Sequence, residues 1–153
     1  MDKKVNNILL GILGEKIVAN FLRKKGYTVE ESLDIFDSSK DMQVNDYKVE
    51  VKTQTPLIVY DSFAINENQL NKILGCKYVF WVSVPLSKFN DEFEGCIFCM
   101  DVNDLTLKYD SLTLKSGRKI IKFPRKQPAM KNVYKISDKN VLKQMKQLST
   151  SYL

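Results

Sequence analysis

The chain has 153 residues, 44% hydrophobic and 27% charged, the balance of a water-soluble globular protein of ordinary single-domain size with enough apolar side chains for a real core. Twenty-four Lys and Arg against 18 Asp and Glu leave a formal net charge of +6. No histidine is present, which excludes Ser-His-Asp, Cys-His and histidine-metal chemistry and leaves hydrolysis to carboxylates, lysine and metal.

Residues 6–25 read as the first helix, closed by Gly26 in the position of a helix-terminating glycine, with Arg23, Lys24 and Lys25 in the last turn. Leu10, Leu13, Ile17 and Phe21 fall on one stripe, widened by Val18 and Leu22, and Glu15 lies at its edge. Residues 8–13, behind Lys3-Lys4, mimic the apolar region of a signal peptide but are too short to span a bilayer. Asn6, Asn7 and Glu15-Lys16, with no small-residue cleavage site, argue against that reading. The expected location is therefore the cytoplasm, or a host's cytoplasm for a viral chain, with no membrane partner.

Residues 41–54 read as two short strands joined by Asn45-Asp46, a pair that tolerates the positive φ of a tight hairpin turn. A two-residue turn pairs Val44 with Tyr47, Gln43 with Lys48, Met42 with Val49 and Asp41 with Glu50. Side chains alternate faces, so Asp41, Gln43, Lys48, Glu50, Lys52 and Gln54 share one face. Met42, Val44, Tyr47, Val49 and Val51 share the other, apolar face. Opposed like charges cost about 0.2–1 kcal/mol on a sheet, and a divalent cation between them would reverse the sign. Mg²⁺ takes one or two carboxylates and completes its shell with water and phosphate oxygens. The pattern is thus either a charge-mixed exposed hairpin or a cation site with Lys52 beside it.

Residues 64–74 read as a helix with Asn66 as N-cap and Gly75 at its end, Gln69 and Lys72 lying on its polar side. Residues 77–84 form a nearly continuous apolar run ending at Pro85, suited to a strand buried on both faces. Residues 95–100 read as another strand, and the alternation of elements points to a mixed α/β sheet. Cys76, Cys96 and Cys99 give an odd count, and Cys96 and Cys99 point to opposite faces of a strand, so they read as small apolar residues rather than zinc ligands.

The charge is uneven. Residues 115–146 carry eleven Lys or Arg and one acid, Asp138, a net of +10, whereas the preceding residues have a net of −4. Residues 118–123 read as a strand, 123–128 as a stiff basic loop, and a helix capped by Ser137 or Asp138 runs through Leu148. Arg118, Lys119, Lys122, Arg125, Lys126 and Lys131 are the expected contacts to a phosphate backbone, held by counterion release without sequence readout. The alternative is a solvated lysine-rich face.

The D-x₈-E-V-K pattern of Asp41, Glu50 and Lys52 on a hairpin, with the helix, strand, hairpin, helix, strand order of residues 5–101, resembles the PD-(D/E)xK, or restriction-endonuclease-like, nuclease superfamily. Lys40 stands where that family usually has proline. The resemblance implies one α/β domain over residues 1–153, a restriction-endonuclease-like core with a central mixed β-sheet flanked by helices, and a basic C-terminal extension at about residues 115–148. It implies Asp41 and Glu50 as metal ligands for Mg²⁺, with Mn²⁺ able to substitute, and a catalytic set of Glu15, Asp41, Glu50 and Lys52. Gln54 and Gln69 are candidates for lining the site. The expected function is a Mg²⁺-dependent DNA endonuclease, such as a Holliday-junction resolvase or a phage-type DNA-processing enzyme, with DNA as partner and a homodimer where two cuts are needed. The alternative is a non-catalytic DNA-binding or assembly protein retaining the fold.

Overall fold

The computed structural model describes residues 3–32, 41–85, 92–104 and 109–150. Helix α1 spans Lys3–Lys24, three residues earlier at its start than the stripe predicts. Its end is as expected: Gly26 has φ +95°, the Gly26 N–H donates to Arg23 C=O, and the Tyr27 N–H donates to Leu22 C=O at 3.1 Å. These two bonds satisfy carbonyls that the last helical turn leaves free.

The strands are β1 (Val29–Glu31), β2 (Met42–Val44), β3 (Tyr47–Gln54), β4 (Ser62–Asn66), β5 (Tyr78–Ser83), β6 (Cys96–Asp101), β7 (Asp110–Thr113), β8 (Lys119–Pro124) and β9 (Met130–Lys135). Helices α2 (Leu70–Leu74) and α3 (Lys139–Thr150) complete the fold. A six-stranded mixed sheet has the order β1-β2-β3-β5-β6-β9, with β3 and β5 parallel. A second, three-stranded antiparallel sheet has the order β4-β8-β7.

The central strands of the large sheet are covered on both faces. Met42, Val44, Val49, Val51, Phe80 and Val82 pack with Leu10, Val18 and Leu22 of α1 and Met145 of α3. Val79, Trp81, Phe98 and Met100 meet Phe63, Ile65, Ile121 and Phe123 of the small sheet and Ile73 of α2. Phe63 stacks on Trp81 with ring centroids 5.1 Å apart. Cys96 and Cys99 lie in opposite layers as free thiols, as their spacing on a strand requires.

One expectation needs correction. Residues 64–74 are not one helix: Phe63 and Ile65 are buried on either side of half-exposed Ala64, with Asn66 exposed beyond, a period of two, and β4 pairs with β8. Asn66 then precedes a 3₁₀ turn, Glu67–Gln69, without a side-chain cap bond. Helix α1 as a whole is also long and apolar enough to cross a membrane, although residues 8–13 alone are too short. In this fold its inner side is committed to β3 and α3, while Val5, Ile8, Leu9 and Ile12 remain on its outer side.

Gly14 sets how close α1 lies to β3: a Cβ there would stand 1.6 Å from Thr53 Oγ1. At Gly11 the same atom would meet nothing within 4 Å. Gly14→Ala is expected to destabilise the protein by about 1–3 kcal/mol through overpacking. Gly11→Ala should instead stabilise it by roughly 0.5–1 kcal/mol as an ordinary helical replacement. Urea denaturation distinguishes them, and equal midpoints for the two variants would refute the close-packing account.

Candidate active site

The hairpin forms as its turn residues dictate. Asn45 has φ +52°, and the register is Met42 with Val49, Gln43 with Lys48 and Val44 with Tyr47. Asp41 stands one residue before β2, its N–H donating to Val49 C=O at 3.1 Å. Its Oδ2 accepts the Val51 N–H at 2.8 Å, taking the place where a longer β2 would offer a carbonyl. That bond turns the Asp41 carboxylate onto β3 beside Glu50.

Glu50 is 1% exposed, and its Oε2 has no aligned hydrogen-bond donor. Burial, reinforced by Asp41, pushes its carboxyl up to about 8. The cation facing both acids is Lys72 of α2, whose Nζ lies 3.1 Å from Glu50 Oε2 and 3.5 Å from Asp41 Oδ1. Desolvation pulls the Lys72 ammonium down, but the charges of Glu50 and Asp41 more than offset this and its pKa is raised. Cys76 feels the same centre: burial and then the two carboxylates push its thiol up to about 11.

Lys52, the lysine of the sequence pattern, points elsewhere. Its Nζ donates to Gln69 Oε1 at 3.3 Å. Gln69 and Lys72 are three residues apart across the junction of the 3₁₀ turn and α2, a spacing that sets side chains on one side of a helix, and each holds a different charged group of the hairpin. In the sequence Lys72 falls on the polar side of this segment, with no role of its own to be read there. The Gln69-x-x-Lys72 spacing puts the two on one side, but that this side faces β3 follows only from the burial of Ile73 in the fold.

Glu15 comes close enough for Asp41 and Lys72 to act on it electrostatically, its approach set by Gly14 against Thr53. Burial first, then repulsion by Asp41 and Glu31, raises its carboxyl to about 7. Gln54 does not serve the site directly: its Nε2 donates to Ala64 C=O at 2.8 Å and its Oε1 accepts the Ala64 N–H at 2.7 Å. Both ends of the amide therefore staple β3 to β4.

Two opposed carboxylates, bridged here by the Lys72 ammonium, are the donor set of a hard cation such as Mg²⁺ that finds its other ligands in water and phosphate. Among the described residues no group of three or more His, Cys, Asp or Glu forms a closed metal site, so the donors do not suit structural zinc.

The six basic candidates divide. Arg118 and Lys119 are exposed beside the β7–β8 turn, and Lys131 is exposed on edge strand β9. Lys122 lies over the Tyr60 ring at 3.9 Å, and exposed Lys126 is 3.6 Å from Glu92. Arg125 is buried: its Nε donates to Asp61 Oδ1 at 2.7 Å and its Nη1 to Ser83 Oγ at 3.2 Å. Its guanidinium holds the β3–β4 connection to β5 instead of facing solvent.

Comparison with known proteins finds similarity to a UPF0102 protein of Caldanaerobacter subterraneus subsp. tengcongensis. The two are 30% identical over 128 residues, covering 78% of this chain and 97% of the relative. No family model matches, and no solved structure matches.

The chain has no histidine to confuse a titration between pH 5 and 8. Glu15 and Glu50 have folded values of about 7 and about 8 against an ordinary 4.5. The stability they contribute is thus fully present below about 4.5 and lost as pH rises through the folded values. In EDTA, the melting temperature should fall between pH 5 and pH 8.5, and Glu50→Gln should flatten that slope. A pH-independent melt, or an unchanged slope in the variant, would contradict the assignment.

Proposed function

Since this chain belongs to the UPF0102 family, within the restriction-endonuclease-like superfamily, we propose that it is a divalent-metal-dependent DNA nuclease acting at Asp41, Glu50 and Lys52. The observation that carries this reading is the buried Glu50 carboxylate held against Asp41 on a hairpin, a pairing with no benefit to the fold alone. Asp41, fixed by the Val51 N–H, and Glu50, fixed by burial, would hold the cation. A bound divalent cation supplies positive charge against the phosphate and makes a water easier to deprotonate. Lys52, steered by Gln69, offers an ammonium to a phosphate oxygen as charge builds in the transition state. Glu15, titrating near neutrality, is suited to take up a proton at the edge of the site. Arg118, Lys119 and Lys131 offer exposed cations to the backbone beyond the scissile bond.

A second reading has one observation in its favour. Lys72 already neutralises the acidic pair, as a protein that kept the fold but bound DNA without cutting it would require. Activity separates the two. The nuclease reading expects DNA cleavage with Mg²⁺ or Mn²⁺ that EDTA abolishes, branched four-way junctions being the first substrates to try. Asp41→Asn and Lys52→Ala should bind DNA and cut it roughly 10²-fold more slowly or worse. Failure to cut linear, nicked, branched or single-stranded DNA with either metal would sink the enzymatic reading; cleavage surviving in both variants would instead move the site.

The exposed and buried cations should also behave differently. Replacing Arg118 and Lys119 together by alanine should weaken DNA binding and reduce its logarithmic salt slope by about one to two. Arg125→Ala should mainly lower the melting temperature, because it strips partners from Asp61 and Ser83. A salt slope unchanged in the double variant would remove the β7–β8 turn from the interface.

A further inference from the structure

Lys72 lies where a second function of the site can be read. Its ammonium is half-buried and sits between the two carboxylates, 3.1 Å from Glu50 Oε2 and 3.5 Å from Asp41 Oδ1. These are the oxygens a cation would need. Neither Lys52, engaged with Gln69, nor any other cation described in the structure has an ion pair with either carboxylate. The short helix bearing Lys72 is anchored by Ile73, which is 1% exposed. The backbone of α2 is therefore fixed, while the four-carbon lysine stem can swing its charge away without disturbing the core.

We propose that Lys72 is an internal counter-ion that occupies the carboxylate pair in the metal-free protein and is displaced when a divalent cation binds. This rests on the reading of Asp41 and Glu50 as metal ligands. A positive charge at the site opposes the arrival of another, so the lysine lowers metal affinity. A phosphate oxygen of DNA close to the site would offer the displaced ammonium a new partner. Metal and DNA then assist one another, since each favours the same position of Lys72 and such coupling is reciprocal. Lys72 acts here as a positioning residue, setting when the centre is loaded.

The test is Ca²⁺ binding by calorimetry at pH 9, without DNA, in the wild type, Lys72→Met, Lys72→Arg and Asp41→Asn proteins. Lys72→Met should bind Ca²⁺ about tenfold more tightly than the wild type, within the usual range for coupled sites. Lys72→Arg, which keeps the charge, should stay near wild type. A purely structural role would give the opposite sign, since a loosened site binds metal less well. Equal or weaker binding by folded Lys72→Met overturns the proposal. Should that variant not fold, acetylation of the wild-type protein decides: Lys72 should react several-fold faster with Ca²⁺ than with EDTA, and an unchanged rate overturns the proposal. If Asp41→Asn binds Ca²⁺ as the wild type does, the metal-site reading itself fails, which is a separate result.

Discussion

Much of this molecule is arranged around a carboxyl group that water does not reach. Glu50 is 1% exposed and stands beside a second carboxylate, a position in which charge is costly unless something compensates it. Each neighbouring element answers that constraint. The Val51 N–H holds Asp41, α2 brings Lys72, Gln69 steers Lys52, and the close contact of Gly14 with Thr53 brings α1, with Glu15, to the margin. The hydrophobic layers above and below the sheet remove the solvent that would otherwise screen these charges.

The hairpin was legible because its information is local. A two-residue turn fixes register, and register fixes which side chains meet, so the pairing of residues 42–44 with 47–49 follows from Asn45-Asp46 alone. The buried strand β5 and the helix end at Gly26 were legible for the same reason. Strand β4 was not, because Ala64, Asn66 and the polar residues after them suit a helix, and only the distant partner β8 turns Phe63 and Ile65 inward. Lys72 was hidden for a related reason. Nothing in α2 itself says that its polar side faces another element, and a lysine on such a side is ordinarily solvated. Gln54 and Arg125 show the converse: their polarity is spent on Ala64, Asp61 and Ser83, contacts that connect residues far apart in sequence.

The basic C-terminal segment is an extension in sequence but not in space. Strand β8 pairs with β4, β9 pairs with β6, and α3 packs through Met145 into the layer that contains α1. Positive charge is therefore displayed on load-carrying elements, so a phosphate backbone gripped there would be held by the same body that carries Asp41 and Glu50. The exposed cations at Arg118, Lys119 and Lys131 stand on a strand end and an edge strand, whose backbone positions are fixed by the sheets.

The contact between α1 and α3 bears on how the chain is made. Helix α1 leaves the ribosome well before α3, is hydrophobic along its inner side, and finds part of its cover only in residues near position 145. Residues 25–138 must all be synthesised before both sides of that layer exist. Throughout that interval the nascent chain displays a segment whose length and hydropathy match those of a membrane-spanning helix. A chain halted before α3 would keep that apolar surface uncovered, the condition under which partly folded chains aggregate.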